Sequence, residues 1–355
     1  MNIEMSMDSS TLQITLRIPK ITEMHNATDH LSPTVVQRLV NIAVFMMISW
    51  VANFYLICVF ALSPATWNKN KRMNIIVLNL AVADLLVSTV STGTEIVFVL
   101  PGDWRFGLLG CKLLLFFQVS FLATSCCLLV VITIDRYCAI TKPMNFAKAE
   151  KYAKQMAAVA WIIGHILASP QLIIFTLQKQ DGLLKCLSAG YSAEWQRKAY
   201  FTYFITYMMV IPVGIITYCY SAIAYVLNQN AKSIPIGFHK DNPQATDHSN
   251  MYHNAKVKTL KLALVIIMIF VICWFPYNFV TVLGIYSENK IKAPKWIVVM
   301  AETLTFLNSS FNPIAYGVLG VKNSYFCWCR KEQPRNRLVK CESNTNKYTT
   351  VTSHT

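Results

Sequence analysis

Residues 111–136 read CKLLLFFQVSFLATSCCLLVVITIDR, and this stretch decides the fold. Beyond its first two residues it is apolar, interrupted mainly by Gln118 and a few small hydroxyl residues. About 20 apolar residues are enough to cross a bilayer as a helix. An acid–base pair is costly in hydrocarbon, so Asp135-Arg136 is expected at the water boundary or in a protein cavity. At 1.5 Å per residue, Cys111 and Arg136 lie about 37 Å apart, one toward each side of the membrane.

The composition excludes an ordinary soluble protein. The chain has 355 residues, of which 54% are hydrophobic and 14% are charged, whereas soluble domains carry about 25% charged residues. Its net charge of +15 therefore indicates basic cytoplasmic segments lying against anionic lipids, and not a nucleic-acid partner. The sequence predicts an integral membrane protein.

Seven apolar spans follow one another, each long enough for a transmembrane helix. Clusters of Lys and Arg follow spans one, three and seven and precede span six, although the lysines between residues 290 and 295 depart from this pattern. Because positive residues mark the cytoplasmic side, the N-terminus is predicted to be extracellular and the C-terminus cytoplasmic. The predicted spans are 38–62, 73–101, 110–134, 156–178, 199–227, 258–284 and 296–319.

The predicted fold class is an all-α membrane protein, a seven-transmembrane helix bundle with a short amphipathic helix after span seven. The polar N-terminal segment is expected to be disordered, and the segment VKNSYFCWCRK is expected to lie at the membrane interface. The predicted domains are an extracellular disordered N-terminus (1–36), the seven-transmembrane bundle (37–320), the amphipathic interfacial helix (321–331) and a disordered cytoplasmic tail (332–355).

Two segments outside the spans carry modification motifs. Asn26-Ala27-Thr28 is a glycosylation sequon in the predicted extracellular segment. Cys327 and Cys329 lie in the predicted interfacial helix, where palmitoylation would anchor the chain to the membrane. The alternatives are an unused sequon and unmodified thiols in a reducing compartment.

An acidic residue inside a membrane span is rare and is a candidate functional residue. Asp84 in span two needs polar partners, and Asn53 in span one is one of several that other spans offer. Together these groups can form a cage that holds a sodium ion. The alternative is a purely structural polar cluster. The candidate sodium ligands are Asp84, Ser125, Asn308 and Asn312.

The motifs in the spans, taken together, resemble the rhodopsin-like family of G-protein-coupled receptors. Any one motif is weak, but every span contributes one in the family's order, over residues 38–331. The matching segments are Asn53; Asn79-Leu80-Ala81-Val82-Ala83-Asp84; Trp104-Arg105-Phe106-Gly107 followed by Cys111; Asp135-Arg136-Tyr137; Trp161; Pro212 with Tyr220; Phe270 with Cys273-Trp274-Phe275-Pro276; and Asn312-Pro313-Ile314-Ala315-Tyr316.

A narrower resemblance concerns the end of span four and the start of span five. Ser169-Pro170-Gln171 and residues 194–200 (EWQRKAY) are similar to peptide receptors of the gonadotropin-releasing hormone, adipokinetic hormone, corazonin and vasopressin/oxytocin type. Two features depart from this group. Ala52 stands where many members have Gly, and the Trp-Arg-Phe-Gly loop is commoner in other peptide and amine receptors.

At the outer end, the resemblance implies a disulfide between Cys111 and Cys186 and a ligand pocket between spans three, five, six and seven. Gln118 stands where amine receptors carry an Asp. A neutral amide cannot pair with an ammonium group, which favours a peptide or another hydrogen-bonding ligand. The candidate ligand-binding residues are Glu95, Gln118, Gln171, Tyr277, Asn278 and Phe306.

At the inner end, the resemblance implies that Arg136, neutralised by Asp135 at rest, meets a heterotrimeric G protein when span six swings outward. Prolines remove backbone hydrogen bonds and kink helices, which makes Pro276 and Pro313 candidate hinges. The candidate switch residues are Asp135, Arg136, Tyr137, Tyr220, Trp274, Pro276, Asn312, Pro313 and Tyr316.

The predicted function is a multi-pass plasma-membrane receptor that binds an extracellular neuropeptide or peptide hormone and activates a heterotrimeric G protein. Arrestin and receptor kinases would act on its Ser/Thr-rich tail. No enzymatic motif and no cofactor other than the sodium ion is expected. The alternatives are a receptor for an amine or a lipid, and a seven-span transporter, although the chain lacks the internal repeats of many transporters.

Overall fold

Seven long helices dominate the described part of the chain. The structure, a computed structural model, describes residues 2–8, 11–17, 33–64, 71–99, 104–141, 146–180, 182–232, 265, 268–287 and 293–315. The predicted seven-helix bundle is confirmed over these ranges. The predicted interfacial helix (321–331) and tail (332–355) lie outside them.

The fifth helix contains a local change of helix type. The helices are Pro33–Leu62 (α1), Lys71–Val99 (α2), Gly107–Thr141 (α3), Phe146–Ala168 (α4), Glu194–Ile205 continuing through a π-helical turn at Thr206–Val210 into Ile211–Lys232 (together α5), Met268–Tyr286 (α6) and Lys295–Ala315 (α7).

The helices expose apolar side chains on their outer faces. By length and composition, α1 to α6 are each apolar enough to cross a membrane. Val51 and Phe54 on α1 and Ile166 on α4 are all more than 60% exposed. Soluble proteins rarely expose large apolar patches, so this surface indicates lipid contact. The hydropathy of α7 is lowered by polar residues, and two of these, Asn308 and Asn312, are buried.

The third helix lies at the centre of the bundle. It packs against α2, α4 and α5, while α1 packs against α2 and α7. Buried residues run along almost its whole length, from Cys111 at the outer end to Asp135 at the inner end. The largest buried apolar side chains around it include Leu80, Leu128, Met208, Phe270 and Trp274.

Small residues let α4 approach α3 closely. Residues three or four positions apart share one face of a helix, and the small ones on α4 that follow this spacing are all buried: Ala153, Ala157, Ala160, Gly164 and Ala168. A Cβ atom at Gly164 would lie 2.8 Å from the backbone nitrogen of Thr124 on α3. This position therefore has room for glycine alone unless the helices move apart.

The end of α4 differs from the sequence prediction. The apolar pattern predicts span four as far as residue 178, whereas α4 ends at Ala168. Pro170 has no N–H to continue the helix, and it begins a separate helical turn, Gln171–Ile174. The apolar residues beyond Ala168 therefore belong to a turn and a strand.

A β-hairpin follows this turn. Thr176–Gln180 (β3) pairs antiparallel with Leu183–Leu187 (β4). Gly182 in the connection has a φ of 79°, a left-handed conformation that glycine adopts without strain and that tight hairpins need. Leu177 lies opposite Cys186 in this register.

A second hairpin occupies part of the N-terminal segment for which disorder is predicted. Asn2–Asp8 (β1) pairs antiparallel with Thr11–Arg17 (β2), with Ile3 opposite Leu16 and Met5 opposite Ile14. Both strands alternate apolar and polar residues, which is the period of a strand with one apolar face. The structure thus describes a hairpin at 2–8 and 11–17 within the segment 1–36.

The close approach of α4 to α3 is testable with Gly164→Ala. The added methyl group would meet the Thr124 backbone, and overpacking of this kind costs about 1–3 kcal/mol. We expect a lower thermal unfolding midpoint of the purified protein in detergent, measured by intrinsic fluorescence.

The matched control is Gly93→Ala on α2, where nothing lies within 4 Å of the added Cβ. Because alanine has a higher helix propensity, this variant should keep or slightly raise the midpoint. Equal midpoints for the two variants would contradict the close contact at Gly164.

Candidate functional site

At the outer end of the bundle, a disulfide joins α3 to the hairpin β3–β4. Cys111 on α3 and Cys186 in β4 are bonded, with their Cα atoms 5.6 Å apart. Beside them, the Trp104 backbone N–H donates to the Leu184 carbonyl of β4 at 2.8 Å, and the Trp104 indole donates to the Gly107 carbonyl at 2.8 Å. The hairpin is thus joined covalently to α3 and by a hydrogen bond to the loop that precedes α3. The predicted disulfide is confirmed.

A buried contact between an amide and a phenol joins the helical turn after α4 to α5. Gln171 is buried, and its Nε2 donates to the Tyr200 hydroxyl. Tyr191 and, on α6, Tyr277 lie in the same region as Tyr200. Burial raises the pKa of Tyr191 to about 12, opposed by the nearby Arg197, so this hydroxyl is neutral at pH 7. These elements bring uncharged hydrogen-bonding groups together.

The structure gives fewer contacts for the other predicted ligand-binding residues. Gln118 is half-buried on α3. Asn278 is buried, and its Nδ2 donates to the Met209 sulfur at 3.3 Å, which links α6 to α5. Glu95 lies on α2 and Phe306 on α7, but their side chains are outside the described part of the structure.

Tyr200 is the residue of this site that the sequence prediction missed. It belongs to the EWQRKAY segment, but nothing in the sequence indicates that it meets Gln171. Its hydroxyl accepts a hydrogen bond from Gln171, and Tyr277 lies in the same region of the bundle.

A fully buried carboxylate joins three helices in the middle of the bundle. Asp84 on α2 is 0% exposed. Ser125 on α3 donates to its Oδ1 at 2.6 Å, and Asn312 on α7 donates its Nδ2 to Oδ2 at 2.9 Å. The Ser309 side chain also hydrogen-bonds this carboxylate. The structure therefore places Asp84, Ser125 and Asn312 together as the sequence predicts.

Two further buried asparagines lie on α1 and α7. Asn53 on α1 donates its Nδ2 to the Ser309 carbonyl at 3.1 Å and to the Ser49 carbonyl at 2.9 Å. Asn308 is buried, and its Oδ1 has no hydrogen-bond partner among the described residues. A buried amide oxygen without a donor is suited to a cation. Asn312 instead turns its amide nitrogen to Asp84, so its oxygen is not offered to the same place.

A proline in α5 creates a contact that the sequence did not reveal. Pro212 has no N–H to donate to the carbonyl four residues earlier, that of Met208. The π-helical turn lies at this point, and the Cys126 thiol of α3 approaches the Met208 oxygen at 3.6 Å. Cys126 therefore supplies a weak donor to the carbonyl that Pro212 leaves without its helical partner.

Trp274 on α6 lies between two aromatic neighbours. Its ring centroid is 6.3 Å from that of Phe270 and 6.4 Å from that of Tyr277. The indole is 2% exposed, and its nitrogen has no hydrogen-bond partner in the described ranges. The described contacts of the ring are therefore aromatic packing contacts, and they lie close to Pro276, two residues further along α6.

At the inner end, Asp135 contacts two arginines. Arg136 donates to its Oδ2 from Nε at 3.1 Å and from Nη2 at 2.6 Å. From α2, Arg72 places its Nε 2.7 Å from Oδ1 and donates from Nη2 to Oδ2 at 3.3 Å. The predicted pair of Asp135 and Arg136 is present. Arg72 was missed, because no sequence pattern shows which helix lies beside Asp135.

The structure describes some of the remaining switch residues and not others. Tyr220 on α5 is buried and hydrogen-bonds Thr133 on α3. Tyr137 packs against the apolar cluster that contains Tyr220 and Ile216. Pro313 lies within α7. Tyr316, Asn26, Cys327 and Cys329 lie outside the described residues.

A comparison with protein families covers most of the chain. Residues 52–316 match the model of the 7 transmembrane receptor (rhodopsin family). The chain belongs to this family. The receptor is therefore a G-protein-coupled receptor and a multi-pass protein of the plasma membrane, and it is not an enzyme.

Individual relatives of the receptor are named as peptide receptors. It is 29% identical over 280 residues to the neuropeptide S receptor of Macaca mulatta, covering 76% of this chain and 74% of that protein. It is 27% identical over 268 residues to the gonadotropin-releasing hormone II receptor of Clarias gariepinus (71% and 69%). It is 25% identical over 318 residues to the vasopressin V1b receptor of Mus musculus (81% and 75%).

These relatives agree with the narrower resemblance. Gonadotropin-releasing hormone and vasopressin receptors are among the types that the ends of spans four and five resemble. The neuropeptide S receptor is a further relative that the sequence motifs do not suggest.

The role of the disulfide is testable with Cys111→Ala, Cys186→Ala and the double variant. Removing a native disulfide costs about 2–5 kcal/mol, so each single variant should lower surface expression and the thermal unfolding midpoint. Both cysteines serve one bond, and the double variant should therefore be little worse than either single one.

Cys58→Ala is the control, because Cys58 is a free, half-buried cysteine on α1. It should leave both quantities near those of the unaltered receptor. Losses that simply add in the double variant would argue against the bond.

Proposed function

We propose that the receptor binds an extracellular peptide at the outer end of the bundle and activates a heterotrimeric G protein at the inner end. The single observation that carries the peptide ligand is the cluster around Gln171, Tyr200 and Tyr277. These uncharged donors and acceptors suit the amide groups of a peptide. The relatives named for peptides support the same ligand class.

The proposed ligand site extends from this cluster to neighbouring helices. Gln118 contributes a neutral amide on α3, where a carboxylate would be needed to hold an amine. The hairpin β3–β4, fixed by the disulfide, covers the site and orders its rim. The proposed ligand-binding residues are Glu95, Gln118, Gln171, Tyr200, Tyr277, Asn278 and Phe306.

The ligand signal passes inward through aromatic side chains and helix hinges. A ligand that contacts Tyr277 moves Trp274, whose packing leads to Phe270 and to the hinge at Pro276. Outward movement of α6 then opens a cavity that exposes Arg136 to the G protein. The other residues of this switch are Asp135, Tyr137, Tyr220, Asn312, Pro313 and Tyr316.

The segments outside the bundle have supporting roles in this proposal. The N-terminus is extracellular and carries a glycan on Asn26. Palmitoyl groups on Cys327 and Cys329 hold the segment 321–331 to the membrane. Receptor kinases and arrestin act on the tail at 332–355, whose Ser and Thr residues supply the phosphorylation sites.

The polar groups around Asp84 fit a sodium ion. Hard cations prefer oxygen ligands, and Asp84, Ser125 and Asn308 offer a carboxylate, a hydroxyl and an amide oxygen. The orphaned Oδ1 of Asn308 supports this assignment. Asn312 holds the Asp84 carboxylate in position and is not itself a ligand. A bound sodium ion would neutralise the buried carboxylate.

The peptide site is testable in cells that express the receptor, with a panel of neuropeptides, biogenic amines and lipids and with calcium and cyclic AMP as readouts. We expect a peptide agonist. Gln171→Ala and Gln118→Ala should each weaken its potency, since an unpaired buried polar group costs about 1–3 kcal/mol, roughly 5- to 150-fold in affinity.

Gln155→Ala is the matched control, because Gln155 is an exposed glutamine on α4. It should leave agonist potency unchanged at equal surface expression. Activation by an amine or a lipid alone would contradict the peptide ligand, and unchanged potency in both site variants would move the site elsewhere.

The sodium site is testable by thermal unfolding of the ligand-free receptor. A ligand that binds the folded state raises its stability, so the midpoint should be higher in sodium chloride than in N-methylglucamine chloride at equal ionic strength. Asp84→Asn should abolish this difference.

Ser88→Ala is the control for the sodium experiment. Ser88 is also buried on α2, but its hydroxyl bonds to the helix backbone, at the Asp84 carbonyl. It should keep the sodium dependence. A sodium effect that survives in Asp84→Asn would exclude this site.

A further inference from the structure

The two arginines that share Asp135 come from different helices and are held differently. The Asp135 side chain is 1% exposed, whereas those of Arg72 and Arg136 are 18% and 25% exposed. Arg136 uses one carboxylate oxygen, Oδ2, while Arg72 reaches both oxygens and also the Asp135 backbone carbonyl. The carboxylate is therefore compensated from two sides.

The neighbouring residue on α2 has a different partner. Lys71 lies 2.8 Å from Glu150 on α4, and Lys154 lies 2.8 Å from the other oxygen of the same carboxylate. The inner end of α2 thus directs one cation to α3 and the adjacent cation to α4. This arrangement separates the effect of Arg72 on Asp135 from the general effect of a positive charge at this end of the helix.

Arg72 lowers the free-energy cost of turning Arg136 away from Asp135. If Arg136 were the sole partner of Asp135, turning it away would leave a buried carboxylate without a cation, which is strongly unfavourable. With Arg72 in place, the carboxylate keeps one guanidinium, as an ion pair at Oδ1 and a hydrogen bond at Oδ2. Arg136 can then leave Asp135 at a lower cost.

We propose that Arg72 is a positioning residue of the inner switch, which keeps Asp135 compensated while Arg136 turns toward the G protein and thereby sets basal activity. This role rests on the proposed G-protein coupling through Arg136. Arg72 itself does not need to touch the G protein. It acts by holding the partner that Arg136 leaves.

The signalling test compares Arg72→Gln with Lys71→Gln. Both variants remove one positive charge from the same helix end, but only the first removes a contact to Asp135. The readout is agonist-free calcium and cyclic AMP output per receptor at the cell surface. Arg72→Gln should lower this output several-fold and Lys71→Gln should leave it near that of the unaltered receptor. Arg72→Lys, which keeps the charge but not the forked contact, should be intermediate.

The effect of Arg72 must also depend on Asp135. In an Asp135→Asn background no carboxylate needs compensation, so Arg72→Gln should cause no further fall in output. A fall of the same size in that background, equal falls in Arg72→Gln and Lys71→Gln, or a rise in Arg72→Gln would each overturn the inference.

A physical measurement separates this inference from the proposed function. Thermal unfolding midpoints of the purified receptor, Arg72→Gln, Asp135→Asn and the double variant form a cycle that needs no G protein. Non-additive shifts support the pair, and additive shifts overturn the inference while leaving G-protein coupling intact. If the shifts are coupled but none of these receptors activates a G protein, the proposed function is wrong. The role of Arg72 in signalling is then wrong as well.

Discussion

A carboxylate buried inside a helix bundle must be compensated by neighbouring helices, and the packing of this receptor depends on that constraint. Without partners, such a charge costs several kcal/mol in a low-dielectric interior. Asp84 obtains its partners from α3 and α7, and Asp135 obtains one of its two from α2. The relative positions of α2, α3 and α7 are therefore tied to polar contacts that are directional and few.

The two ends of α3 are held by bonds of different strength. At the outer end a covalent bond between Cys111 and Cys186 fixes the hairpin. At the inner end, the ion pair between the partly exposed Arg72 and Asp135 holds α3 to α2. A disulfide persists through any rearrangement of the helices, whereas an ion pair can exchange one partner for another. This difference suits the proposed function, in which the outer surface keeps its shape while the inner surface changes.

The helices also differ in how readily they can deform. On α4, a row of small residues fits closely against α3, and a displacement there would open or overlap a packed surface. Pro212 on α5 and Pro276 on α6 interrupt the backbone hydrogen bonds of their helices. At Pro212, the Cys126 thiol of α3 donates to the Met208 carbonyl, which lacks its helical partner. The intact helices form the support, and the interrupted ones can bend at small cost.

The sequence by itself determined the number of long helices and the buried polar residues, because hydrophobic run length and rare intramembrane polar residues are local signals, whereas the pairing of Cys111 with Cys186 followed from the family resemblance. It did not determine where α4 ends, since Pro170 allowed either a kinked helix or a new turn, and the hairpin β3–β4 follows from the second. The contacts of Arg72 with Asp135, of Tyr200 with Gln171 and of Cys126 with Met208 were decided by the tertiary structure alone. Each joins residues on different helices, and such contacts depend on which helix faces lie side by side and how far their side chains reach.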